Sequence, residues 1–168
     1  MKPEISSFKK SADDFIVAFN AIPPQGLTYK PHGDDYTVGG LIVHVLDIMK
    51  KYSSVLDSIE DPSKKEPVRS DHHISKQEEK WIQEGINEEE RTVFIKEVES
   101  LQKSLIERME TLSEEQYKTK TPVIYENATD AFPTSPADLL GWLRDHYIEH
   151  IVQIEKLVKD WKNRTVAS

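Results

Sequence analysis

At 168 residues, with 37% hydrophobic and 31% charged side chains, the chain is long enough to bury one core without cross-links and holds no apolar run of about 18 residues that could span a bilayer. It has no cysteine, which excludes disulfides, thiolate metal sites and a protein-borne thiol nucleophile, so any sulfur chemistry must arrive with a bound molecule. The formal net charge of -8, with acids and lysines interspersed, argues against a phosphate-tracking surface and hence against nucleic acid as a partner.

The opening stretch "MKPEISSFKKSADDF" lacks the apolar core and cleavage site of a secretory signal, so the expected location is the cytoplasm. A first helix is expected over roughly residues 4 to 21, where Ile5, Phe8, Ala12, Phe15, Ile16 and Phe19 recur at helical spacing. "IPPQG" stops it, because Pro23 and Pro24 bias the residues before them away from the α region. "LTYKPHGDDY", with turn formers at Pro31, Gly33, Asp34 and Asp35, reads as an ordered loop leading to Thr37 as N-cap. A second helix follows from about Val38 to Leu56, with Val38, Leu41, Val45, Ile48, Tyr52 and Val55 on one side and His44 at the rim of that stripe. Gly39 and Gly40 each cost about 1 kcal/mol against alanine inside a helix. Their place in the first turn points either to close backbone approach by another element or ligand, or to simple tolerance there.

From Asp61 to Asn87 the chain is polar, a long connection in which Ser75 and Glu78 form a capping-box pattern for a short helix through about residue 85. Asn87, followed by Glu88, Glu89 and Glu90, announces a third long helix, with Phe94, Val98, Leu101, Leu105, Met109 and Leu112 as its core stripe. Residues 113–134 carry turn signals and a short "PVIY" run with an extended pattern. Ser135 as N-cap, Pro136 at the first helical position and Asp138 at the capping-box position open the last helix. The expected architecture is a single domain over residues 1–168, an all-α four-helix bundle with a long crossover between the second and third helices.

The last helix carries "LLGWLRDHYIEHIVQIEKLVKDW". With His146 at zero and about 100° per residue, His150 falls at about 40°, and Leu139, Leu143, Tyr147, Ile154, Leu157, Val158 and Trp161 fall between about 20° and 120°. Both imidazoles therefore point inward, as His44 does on the second helix. One inward histidine is more often a core residue with a satisfied hydrogen bond than a ligand. Three are costly to satisfy in a neutral core, whereas one divalent cation satisfies three nitrogens at once. His44, His146 and His150 are therefore the expected metal ligands, with no catalytic residue beyond them. "HYIEH" also matches the inverted zincin signature HxxEH with Glu149 as base. That site needs a further acidic ligand well downstream, and Glu149 lies about 60° from His146, away from the apolar stripe.

Together, "YTVGGLIVHVLDIM" and "LLGWLRDHYIEHIVQI" resemble the DinB/YfiT-like superfamily of bacterial four-helix-bundle metalloenzymes, with one histidine on the second helix and HxxxH on the last. The resemblance covers essentially the whole chain in helix order, but its specific part is three histidines and their contexts. It implies that His44, His146 and His150 form the metal triad, that the ion is zinc or nickel, and that members are often homodimers. It further implies a transferase or isomerase reaction using a low-molecular-weight thiol such as bacillithiol or mycothiol. The leading expectation is a metal-dependent enzyme transferring such a thiol to a small electrophilic substrate.

Imidazole ligands by themselves suit zinc, nickel, copper and iron alike. The same triad would also serve a metal-activated hydrolase, a non-catalytic metal- or ligand-binding stress-response module, or, remotely, a haem held by two of the histidines. His32, in the loop before the second helix, and the adjacent His72 and His73 in the crossover are weaker candidates for reaching the open coordination position. Asp47 and Asp145 flank the triad as acceptors that could orient imidazoles, while Tyr147 and Tyr52 fit core positions, with Tyr52 also able to line a pocket.

Overall fold

The computed structural model describes residues 2–61, 63, 67–70 and 73–167. Helix α1 (Pro3–Asn20) starts on a proline, whose missing N–H costs nothing in a first turn. It buries Ile5, Phe8, Ala12, Phe15 and Phe19 completely. Ile16, expected on the same face, lies half-buried at its margin. A single 3₁₀ turn at Pro24–Gly26 then redirects the chain.

Helix α2 (Gly40–Glu60) begins two residues later than the periodicity suggests, and its N-cap position falls on Gly39 rather than on Thr37. The threonine Oγ1 accepts the Gly40 N–H at 3.0 Å and donates to the Ile82 carbonyl at 3.0 Å. Gly39 and Gly40 are explained by close approach. A Cβ on Gly39 would lie 2.5 Å from the Leu27 carbonyl oxygen, and one on Gly40 would lie 2.7 Å from both Cα and O of Ile82.

The crossover carries strand β1 (Val68–Arg69) and helix α3 (Lys76–Glu84), which packs on α2 and begins with the Ser75/Glu78 capping box. Helix α4 (Glu88–Thr111) opens with a second such box, Asn87/Glu90. Arg91, 5% exposed, ties it to the end of α1 by donating to the Phe19 and Ile22 carbonyls at 3.2 and 2.6 Å. Then come helix α5 (Glu114–Lys118), strands β2 (Thr121–Ile124) and β3 (Phe132–Thr134), and the 32-residue helix α6 (Pro136–Ala167). At its start the Ser135 N–H donates to Asp138 Oδ2 at 2.9 Å, and the Asp138 N–H donates to Ser135 Oγ at 3.1 Å.

α1 packs on α6 and α4, and α2 packs on α4 and α6, so residues from all four long helices meet in one core. In that core the Tyr147 hydroxyl accepts from Gln102 Nε2 at 3.0 Å and donates to Met49 Sδ at 2.9 Å. The chain is thus mostly helical, but it is not purely α. β2 pairs in parallel with β1 (Val68 opposite Val123) and antiparallel with β3 (Val123 opposite Phe132), making a small sheet in the order β1-β2-β3. "PVIY" supplies most of β2, while β1 has only two residues, too few for a period of two to register. Among the described residues no helix is long and apolar enough to cross a membrane.

Candidate metal centre

His44 lies in the second turn of α2, whose start is held against α3 by Thr37 and by the close approach of Gly40 to Ile82. His146 and His150 lie one turn apart on α6, which packs against α2. This crossing brings together residues about a hundred positions apart. His146 Nε2 is 3.0 Å from His44 Nε2 and 2.8 Å from His150 Nε2. The rings meet edge to face, with centroids 4.3 to 5.0 Å apart. His150 is 7% exposed and the other two are half-buried.

Three Nε2 atoms facing one another cannot all be satisfied by protons. A neutral imidazole nitrogen either donates or accepts, so His146 Nε2 can form a proper hydrogen bond with only one of its two neighbours. His150 has its tautomer set: its Nδ1 donates to Gln153 Oε1 at 2.8 Å, which leaves Nε2 with a bare lone pair aimed into the cluster. If His146 Nε2–H donates to that lone pair, it has nothing left with which to accept from His44. A cation accepting all three lone pairs removes the conflict.

Electrostatics also favours bare nitrogens. Burial pushes His44 down to about 4, with the His150 imidazole and the Lys51 ammonium adding to the effect. Burial, with repulsion from His150 and His44, pushes His146 to about 3. Burial lowers His150 as well, against the opposing pull of Gln153 and Glu149. All three are therefore neutral at pH 7, the state in which imidazole binds metal.

The donor set fits a divalent ion. Nitrogens about 2.05 Å from a tetrahedral zinc lie about 3.3 Å from one another, so separations of 2.8 and 3.0 Å need to open by only a few tenths of an ångström. Among the described residues these three histidines are the cluster of potential ligands close enough to share an ion, and no carboxylate joins them. Three protein ligands would leave coordination positions open on such an ion.

The other sequence candidates are placed as follows. His32 is exposed in its loop, and His73, with 76% of its side chain exposed, lies 3.8 Å from Glu126. His72 falls outside the described residues. Asp145 pairs with the neighbouring Arg144 at 2.8 Å and Glu149 is exposed, and neither lies close enough to share an ion with the three histidines. Asp47 is half-buried, and its charge helps raise the proton affinity of the Tyr36 phenol. Tyr52 packs near Trp142, with ring centroids 6.1 Å apart. Two neighbours of the cluster carry no sequence signal. Gln153 orients His150, and Tyr36, from the same loop as His32, lays its ring 4.6 Å from that of His44.

No family model matches the chain, and no curated protein matches it. Its fold is similar to that of a conserved protein from Enterococcus faecalis known from a crystal structure. The TM-score is 0.61, with 14% identity over 95% of this chain and 96% of that one. A likeness at that identity speaks for the fold alone.

Proposed function

We propose that the protein is a metal-dependent enzyme of the DinB/YfiT-like type, using a divalent ion at His44, His146 and His150 to transfer a low-molecular-weight thiol to a small electrophile. The observation that carries this reading is the convergence of three neutral imidazole Nε2 atoms from two helices, with separations of 2.8 and 3.0 Å that protons alone cannot satisfy. The order of the long helices, with α1, α2, α4 and α6 read as a four-helix bundle and α3 in its crossover, supports it further. A divalent ion bound to three neutral ligands would keep its full double charge and act as a Lewis acid, lowering the pKa of a bound thiol. That would provide the nucleophile a cysteine-free chain lacks. The ion is proposed to be zinc or nickel, and the protein a cytoplasmic homodimer acting on small molecules rather than on nucleic acid or membranes.

The chain's own residues have separable roles. The three histidines hold the ion, Gln153 fixes the His150 tautomer, and the Tyr36 ring packs against that of His44. Metal content measured by mass spectrometry on tag-free protein is the test. Wild type is expected to carry about one equivalent and His146→Ala close to none. Loaded protein should then consume a bacillithiol-type thiol in the presence of a halogenated or epoxide electrophile, and His44→Ala should abolish that rate. Absence of bound metal together with no uptake of zinc or nickel would make the triad a polar core cluster. Turnover that needs no thiol would assign the same centre to hydrolysis.

A further inference from the structure

Lys51 follows His44 by two turns of α2, and at about 100° per residue the two side chains lie within about 20° of each other around the helix. Helical side chains lean towards the N-terminus, so the lysine stem runs back along α2 towards the histidines. Only 15% of the Lys51 side chain is exposed, which is unusual for lysine.

The ammonium is held by Glu126 Oε2 at 2.9 Å. Glu126 is in a turn closed by the Ala128 N–H donating to the Tyr125 carbonyl at 3.0 Å, with Asn127 at φ 65°. Its own N–H donates to Ser70 Oγ at 3.2 Å, which ties its backbone to the residue that follows β1. Its side chain is 42% exposed, and Oε1 is 3.8 Å from His73 Nδ1. A largely buried cation is thus paired with a carboxylate that lies at the protein surface. An incoming carboxylate could take the place of Glu126 on Lys51.

We propose that Lys51 is the carboxylate-binding residue of the histidine centre and Glu126 the internal carboxylate that a substrate displaces, so that the centre takes small anionic organic molecules, with carboxylate-bearing thiols foremost. This assignment rests on the triad holding a metal ion. It differs from a plain structural tether between α2 and the 125–128 turn, for which losing either partner has the same consequence.

Cobalt(II)-loaded protein separates the two. Mercaptopropionate and mercaptoethanol are titrated separately, each releasing its thiol proton to the buffer, and the thiolate-to-cobalt absorption band gives the dissociation constants. Wild type is expected to bind mercaptopropionate about tenfold more tightly than mercaptoethanol, the scale of one charge-assisted hydrogen bond. Lys51→Met should erase the preference and Lys51→Arg should keep it. Glu126→Gln, which removes the competitor, should tighten mercaptopropionate severalfold. Opposite effects of Lys51→Met and Glu126→Gln are not expected of a tether. A preference that survives Lys51→Met, or none in wild type, overturns the Lys51 assignment while leaving the metal centre standing. Cobalt that fails to bind, or binds equally well to His146→Ala, overturns the centre and this inference together.

Discussion

The tautomer of His150 shows how a single hydrogen bond prepares a ligand. Gln153 accepts from Nδ1 and so commits Nε2 to the cluster. Gln153→Leu should weaken metal affinity about 10- to 100-fold, the usual cost of losing such an orienting partner, and competition with a chromophoric chelator would measure it. An unchanged affinity would mean that packing alone orients the ring. The lowered proton affinities make a second prediction, for the metal-free protein. The folded-state values, about 4 for His44 and about 3 for His146, lie below the unfolded value of 6.5, so below pH 6.5 the unfolded chain binds more protons. Stability should therefore be complete above about pH 6.5 and fall as pH drops from there through about 4 to about 3. Thermal melts across that range should show the loss in wild type and a shallower one in His146→Phe. The three histidines were legible in the sequence because their spacing places them on apolar faces. Gln153 and Tyr36 were not, because a glutamine one turn past a ligand and a tyrosine in a polar loop look like any others.

At the scale of elements, glycines in two helices predict opposite responses to the same substitution. Gly141, in α6, faces open space, with nothing within 4 Å of the position a Cβ would take, so Gly141→Ala should stabilise by about 0.5–1 kcal/mol through helix propensity. Gly40→Ala gains the same propensity but drives a methyl to 2.7 Å from the Ile82 backbone, and should destabilise by about 1–3 kcal/mol. Urea unfolding of the two variants checks both signs. Because α2 carries His44, the Gly40 variant should also lose metal affinity, whereas loss of stability alone would mean that the strain stays within the α2–α3 contact. The long helices were readable because each runs many turns of one period, and three helix starts carry capping boxes found by spacing alone. α5, with five residues, and β1, with two, are shorter than the periods that would reveal them.

For the whole molecule, the ion would join α2 to α6 through ligands 102 and 4 residues apart, across the two helices that frame the site. A ligand that binds only the folded state stabilises by mass action, about 2.7 kcal/mol at a hundredfold excess over its dissociation constant. For a chain of this size that is roughly a 5–10 °C rise in melting temperature. Zinc or nickel added to metal-free protein should produce that rise, a strong chelator should reverse it, and His146→Ala should show neither. An equal shift in the variant would place the ion elsewhere.

The sequence by itself determined the long helices, their inward faces and the three candidate ligands, because each of these depends on local spacing along one helix. The tertiary structure decided that His44 meets His146 and His150, that Gln153 sets a tautomer, and that Lys51 and Glu126 pair beside the triad. It also drew three short strands into one sheet and brought Leu27 and Ile86 onto Gly39 and Ile82 onto Gly40. These are contacts between residues far apart in the chain, and helical periodicity fixes which face a side chain occupies but not which other face it will meet.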